Sequence, residues 1–167
     1  MPNHLSVLGI IHTAISIVAL FLGFYASFRF NKINPLKGAG KWYTILTVIT
    51  CITGFPIMRT GHPTGGHALG VLILIMIPLA IYARSFRFLG NRAKYVETIL
   101  MSGTLFFSMI PAIVETLTRL PISAPIAAGP DATEIKSCLV LLLVFFITGV
   151  TFQVRKLKEE KGVVANG

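Results

Sequence analysis

The stretch Arg59-Thr60-Gly61-His62-Pro63-Thr64-Gly65-Gly66-His67 lies between two long apolar runs, residues 42–58 and 68–83. Its glycines and proline are typical of a turn rather than of a helix or a strand. It also holds two of the four histidines of the chain. The sequence therefore predicts a polar loop that joins two membrane-spanning helices.

The composition places the chain in a membrane. Of its 167 residues, 54% are hydrophobic and 13% are charged, whereas a soluble domain carries about 25% charged residues. The net charge is +9, but the basic residues form short clusters between apolar runs, which indicates membrane topology rather than nucleic-acid binding. Cys51 and Cys138 fall inside apolar runs without zinc-site spacing.

Five apolar runs predict an all-α, polytopic membrane helical bundle with five transmembrane helices, forming a single integral membrane domain over residues 1–167. The predicted spans are residues 5–28, 42–58, 68–83, 95–118 and 137–154. The alternative is a bundle of four spans. The partner implied first is the lipid bilayer, and no nucleic acid is expected.

The charges of the loops predict the orientation. Five spans place twelve Lys and Arg residues, in loops 29–41 and 84–94 and in the tail from residue 155, on one side. Only Arg59, Arg119 and Lys136 fall on the other. Because positive loops stay cytoplasmic, we expect an inner-membrane protein with its N-terminus outside and its C-terminus in the cytoplasm. Five aromatic residues are expected at the cytoplasmic interface: Tyr25, Trp42, Tyr43, Tyr82 and Tyr95.

A short motif occurs twice and indicates an internal duplication. Ser-Phe-Arg-Phe stands at residues 27–30 and again at residues 85–88. We predict a helical hairpin used twice, as repeat 1 over about residues 5–58 and repeat 2 over about residues 67–119, with an extra helix at about 136–155. The two copies form a four-helix core, in which His12 and His67 occupy equivalent places and face each other.

Polar residues gather at the predicted outer ends of the spans. His12, Glu115 and Arg119 share this leaflet with the loop at residues 59–67, and ionisable groups within a membrane usually face the bundle interior. Stripes of small and hydroxyl residues on the helices fit either plain helix packing or a cavity open to the outside. Glu97, near the cytoplasmic interface, is expected to be a solvated charge.

The first functional hypothesis is a b-type haem that serves electron transport. His12 and His67 would be its axial ligands, and Arg59 and Arg119 would pair with the propionates. Small residues such as Gly23 would make room for the flat ring.

Other hypotheses remain open beside the haem. A metal site or a proton-linked site could be built from four residues, namely His12, His62, His67 and Glu115. A His–Glu pair could serve a small-solute transporter, and an accessory membrane subunit could act through partner subunits or as a homo-oligomer. Whether the protein is an enzyme stays open, although no catalytic motif is present.

Two short motifs resemble known families. His12-Thr13-Ala14 and Gly66-His67-Ala68-Leu69-Gly70 are similar to segments of small, uncharacterised bacterial polytopic membrane proteins. The second motif also resembles the Gly-His-Ala helix start of some membrane cytochromes b. That resemblance implies an axial-ligand role for His67, with His12 as its mate.

Overall fold

The computed structural model describes residues 6–57 and 61–165, with residues 160–165 described as backbone alone. This part of the chain is helical and contains no strand, so the all-α class is confirmed. The α-helices are α1 (Val7–Phe30), α2 (Gly38–Gly54), α3 (Gly65–Tyr82), α4 (Ala93–Arg119) and α5 (Thr133–Ala165). Two short 3-10 helices, Ala83–Ser85 and Arg87–Arg92, join α3 to α4.

The helices form an antiparallel bundle in which α1 packs on α2 and α4, and α3 packs on the same two helices. Helix α5 packs on α4 alone among the described helices. We name the two ends of the bundle by their residues. The basic end holds the connections at residues 31–37 and 83–92, and the histidine end holds the starts of α1 and α3.

Among the described residues, four segments are long and apolar enough to cross a membrane: Val7–Phe30, Gly65–Ser85, Arg87–Arg119 and Thr133–Glu159. Helix α2 has only 17 residues, and at 1.5 Å per residue it is about 26 Å long, against roughly 30 Å of hydrocarbon. It begins and ends four residues before the predicted span 42–58. Pro56 lacks the N–H that the next turn needs. The structure thus supports membrane insertion with four candidate spans and does not confirm a count of five.

The interior is tightly packed around Tyr43, which is fully buried together with Met101. A Cβ atom added to Gly23 would lie 2.9 Å from both the Tyr43 ring and Leu105, so only glycine allows this approach. Tyr43 was expected among the aromatic residues of the membrane interface, and its side chain is buried inside the bundle. The Thr104 hydroxyl donates to the Met101 carbonyl at 2.7 Å and accepts from the Tyr43 hydroxyl at 2.8 Å.

The connection between α1 and α2 is fixed by backbone contacts. Helix α1 ends at Phe30, and its C-cap residue Asn31 has the left-handed backbone (φ 53°) that commonly terminates helices. The Asn34 side chain then accepts from the Leu36 N–H at 3.0 Å. The Asn34 carbonyl lies where a Cβ atom of Gly40 would stand, so the loop can pack here only against glycine.

Helix α5 is attached to α4 by two polar contacts in an apolar interface. The Ser102 hydroxyl donates to Gln153 Oε1 at 2.7 Å, and both residues are buried. Nearer the basic end, Lys94 Nζ donates to the Leu157 carbonyl at 2.8 Å. Only 6% of the apolar window of α5 is buried, so most of its hydrophobic side chains are available to lipid.

The two helix pairs share their antiparallel order, but the repeated motif folds differently in each. Residues 27–30 lie within α1, whereas residues 85–88 belong to the 3-10 connection. Pro56 follows the end of α2, whereas Pro111 lies inside α4. The internal duplication therefore stays a prediction.

Candidate functional site

His12 is half-buried on α1 and packs against the end of α2. Its ring lies 3.1 Å from the place of a Gly54 Cβ atom, and its Nδ1 is 3.1 Å from Thr53 Oγ1. The Thr53 hydroxyl donates to the Ile49 carbonyl at 2.8 Å, so its oxygen accepts from the imidazole Nδ1–H. The backbone of Thr50, one turn before Thr53 on α2, also forms a hydrogen-bonding contact with the His12 imidazole.

His67 completes a capping box at the start of α3. Its Nδ1 accepts from the Thr64 backbone N–H at 3.0 Å, and the Thr64 hydroxyl lies 3.0 Å from the same nitrogen. Since Nδ1 accepts, the proton is on Nε2, which donates to the Phe55 carbonyl at 3.3 Å. Both ring nitrogens are therefore engaged.

The two histidines meet the same short segment at the end of α2. That helix stops at the level of His12, which lies five residues, or about 8 Å, inward from the first residue of α1. A helix that ends below the water surface leaves carbonyls that water cannot reach. His67 bonds the Phe55 carbonyl, and the Ile57 N–H bonds the Gly54 carbonyl at 3.0 Å. One role of His67 is thus structural.

Glu115 and Arg119 form an ion pair one turn apart on α4. The side chain of Glu115 is 50% exposed and that of Arg119 is 20% exposed. Glu115 also lies within electrostatic range of the His12 imidazole. The Nε of Arg119 is buried and forms no hydrogen bond with any described group, so part of the guanidinium remains available as a donor.

Two hydroxyl groups on α2 are also buried without a hydrogen bond to any described group. Thr47 Oγ1 and Thr50 Oγ1 are buried and unpaired among the described residues. Thr47 lies in the middle of α2, within hydrogen-bonding range of the Tyr43 hydroxyl. An unpaired buried polar group costs about 1–3 kcal/mol, so Thr50 Oγ1 and Arg119 Nε are each suited to a water molecule or a polar ligand.

The packing of α4 loosens toward the same end. The five residues from Met101 to Leu105 are all buried, whereas none of the residues 106–114 is buried. Nine helical residues sample every face of a helix, so the face toward the bundle is partly accessible as well. Pro111 lies in this segment and leaves one backbone carbonyl without its helical donor.

Two other predicted site residues belong to the loop at residues 59–67. His62 is exposed and contacts the carbonyl of its neighbour Pro63 at 3.4 Å, and Arg59 lies outside the described residues. The described residues contain no group of three or more His, Cys, Asp or Glu side chains that could hold a metal. The predicted metal ligands His12, His62, His67 and Glu115 are not assembled into such a group.

The residues present do not fit a haem in this arrangement. The space beside Gly23, expected to receive the flat ring, is filled by Tyr43 and Leu105. An axial bond from His67 would require the Nε2 lone pair, but that nitrogen donates to Phe55.

The sequence analysis missed an ion pair at the basic end. Glu97 is only 7% exposed, and Arg84 Nε donates to its Oε2 at 2.7 Å. The expectation that Glu97 is a solvated charge was wrong. Helix α3 stops at Tyr82, and the 3-10 turn that follows brings Arg84 against the second turn of α4.

Comparisons of the chain with protein-family models, with curated proteins and with solved structures gave no match.

Proposed function

We propose that this protein is an integral membrane carrier that binds a small monovalent anion together with a proton at its histidine end. In this proposal all five helices cross the inner membrane, with α2 as a short span and the basic end in the cytoplasm. The excess of positive charge at that end supports this orientation. The observation that carries the proposal is the presence of two buried polar atoms without a partner among the described residues, Thr50 Oγ1 and Arg119 Nε.

The chemistry of these groups favours an anion. Arg119 Nε is a donor without an acceptor, and the hydroxyl of Thr50 can donate as well. When His12 is protonated, its Nε2–H adds a third donor on a neighbouring helix. Donors without acceptors select a ligand that is rich in acceptor oxygens or is a simple anion.

The charge balance favours binding of a proton with that anion. Glu115 and Arg119 cancel one another, so a monovalent anion is compensated only when His12 is protonated. An uncompensated charge within a membrane costs several kcal/mol. Anion and proton should therefore bind together, which is the linkage that a proton-coupled carrier requires.

The packing favours access from the histidine end. Toward the basic end, the Tyr43–Thr104 hydrogen bond and the close contact at Gly23 fill the interior. Toward the histidine end, the buried run of α4 gives way to half-buried residues. A solute would thus enter between α1, α2 and α4 and stop above Tyr43.

Thermal unfolding of the purified protein in detergent tests this function. We expect the sodium salt of at least one of formate, acetate, nitrate and chloride to raise the melting temperature, because a ligand that binds only the folded state stabilises it. The increase should shrink as the pH rises from about 5 to 8, the range in which histidine ordinarily loses its proton.

Matched variants make that test specific. Arg119→Gln should lose the stabilisation by the anion, and His12→Gln should lose its dependence on pH. Arg92→Gln removes an exposed cation at the basic end and should behave as the parent protein does. If no anion stabilises the parent, or if Arg92→Gln and Arg119→Gln respond alike, the proposal fails.

A further inference from the structure

A polar cavity lies at the basic end of the bundle, where the 3-10 connection meets α4. Its volume is about 360 Å³, and its lining residues are Arg84, Gly90, Asn91, Ala93 and Lys94. Two of these side chains are cationic, one is an amide and none is acidic. Because Glu97 pairs with Arg84, the net positive charge of the lining is that of Lys94. The cavity lies at the level where the last turn of one span gives way to the next.

The side chains of Arg84 and Lys94 are held in place by neighbouring groups and still have N–H donors that are available to a ligand. Arg84 uses its Nε and one Nη2 hydrogen on Glu97, at 2.7 and 3.5 Å, and its other N–H groups remain. Lys94 donates one of its three hydrogens to the Leu157 carbonyl at 2.8 Å. Because neighbours already fix both side chains, a ligand would bind with little further loss of side-chain entropy.

The backbone beside these side chains shapes the wall of the cavity. The 3-10 helix Arg87–Arg92 runs directly into α4, and the Ala93 N–H donates to the Gly90 carbonyl. Gly90 takes a left-handed backbone (φ 43°) that turns the chain just before this helix. The turn places Asn91 and the first residues of α4 on the wall of one cavity.

We propose that this cavity binds a phosphate group, and that the phosphate belongs to the headgroup of an anionic phospholipid. Guanidinium and ammonium groups are the usual protein partners of phosphate. Basic pockets beside transmembrane helices are suited to anionic headgroups. Free phosphate shares this chemistry, so the experiment must separate the two sources.

Native mass spectrometry of the full chain tests the proposal. The purified protein is incubated with equal amounts of phosphatidylglycerol and phosphatidylcholine in detergent, and the lipid that stays bound is counted. We expect the parent protein to retain phosphatidylglycerol in preference. Loss of one charged hydrogen bond should lower that retention about tenfold in Lys94→Gln.

Two further variants keep the result decisive. Lys41→Gln removes one exposed cation from the first turn of α2, so it reproduces the charge loss outside the cavity and should retain lipid as the parent does. Asn91→Ala alters the cavity without touching the contact between Lys94 and α5, and it should also lower retention. Equal retention by Lys94→Gln, Asn91→Ala and Lys41→Gln, or no preference between the two lipids, overturns the proposal.

Inorganic phosphate separates the two sources of the phosphate group. If the lipid is the ligand, added phosphate should leave the bound phosphatidylglycerol largely in place, because the acyl chains also contribute to binding. If phosphate displaces the lipid completely and itself binds in a Lys94-dependent way, the assignment to a lipid headgroup is overturned in favour of free phosphate.

Discussion

The two halves of this bundle differ in whether their buried polar groups have hydrogen-bond partners. We divide the bundle at the Tyr43–Thr104 hydrogen bond into a basic half and a histidine half, named after their ends. In the basic half, buried Glu97 is paired with Arg84, and buried Ser102 is bonded to Gln153. In the histidine half, the buried Thr50 hydroxyl and Arg119 Nε have no partner among the described residues.

This difference separates the part of the protein that holds the fold from the part suited to a ligand. Paired polar groups in a tightly packed interior fix the positions of the helices. Unpaired polar groups in a loosely packed interior lower stability unless water or a solute forms hydrogen bonds with them. The two halves should consequently respond differently to small substitutions, in stability and in ligand binding.

The largest effect is expected at the close backbone contact of the basic half. In Gly40→Ala, the new methyl group would overlap the Asn34 carbonyl, and a backbone atom cannot move aside as the end of a side chain can. We expect a loss of about 3 kcal/mol in the free energy of unfolding, measured by denaturant unfolding in detergent micelles.

Gly149→Ala on α5 is the matched control, because nothing lies within 4 Å of its added Cβ atom. It should leave stability unchanged or raise it slightly, since alanine favours helix more than glycine does. Similar losses in both variants would mean that the basic half is no more tightly packed than the lipid-facing surface.

A smaller effect is expected where α5 meets α4. Ser102→Ala removes the donor to Gln153 and leaves a buried amide oxygen unpaired, which should cost about 2 kcal/mol. Adding Gln153→Leu should recover part of the loss, because replacing both partners removes the unpaired group. Denaturant unfolding of both variants measures this recovery. A double variant less stable than Ser102→Ala would contradict the proposed pairing of Ser102 with Gln153.

How far the sequence predicts this fold depends on the kind of signal. Apolar length located α1, α3, α4 and α5 within a few residues at most of their ends, except for the longer C-terminal extension of α5. The same signal misplaced α2, because it counted Phe55, Pro56 and Ile57 as part of the span although they follow the helix. A hydropathy average does not detect that Pro56 prevents the helix from continuing.

The site was harder to predict because its partners are distant in sequence. His12 and Glu115 were correctly expected to share one end, where they lie within electrostatic range. The role of His67 could have been found, because Thr64 and His67 have the spacing of a capping box, with histidine in place of Glu or Gln. The contact of His12 with Thr53 and the pairing of Arg84 with Glu97 depend on where α2 and α3 stop, which hydropathy leaves undetermined.

The smallest effect on stability is expected in the histidine half, and it is the most informative. Thr104→Val removes the acceptor of the Tyr43 hydroxyl and should cost about 1 kcal/mol. Thr50→Val replaces a hydroxyl that has no partner among the described residues by a group of similar shape, so its free energy of unfolding should equal or exceed that of the parent. Unfolding without added anions measures the stability of both variants.

Thr50→Val should nevertheless weaken the stabilisation by the anion, because the lost hydroxyl is one of the proposed donors. Equal losses of stability in the two variants would show that Thr50 is bonded as Thr104 is, and the contrast between the halves would disappear.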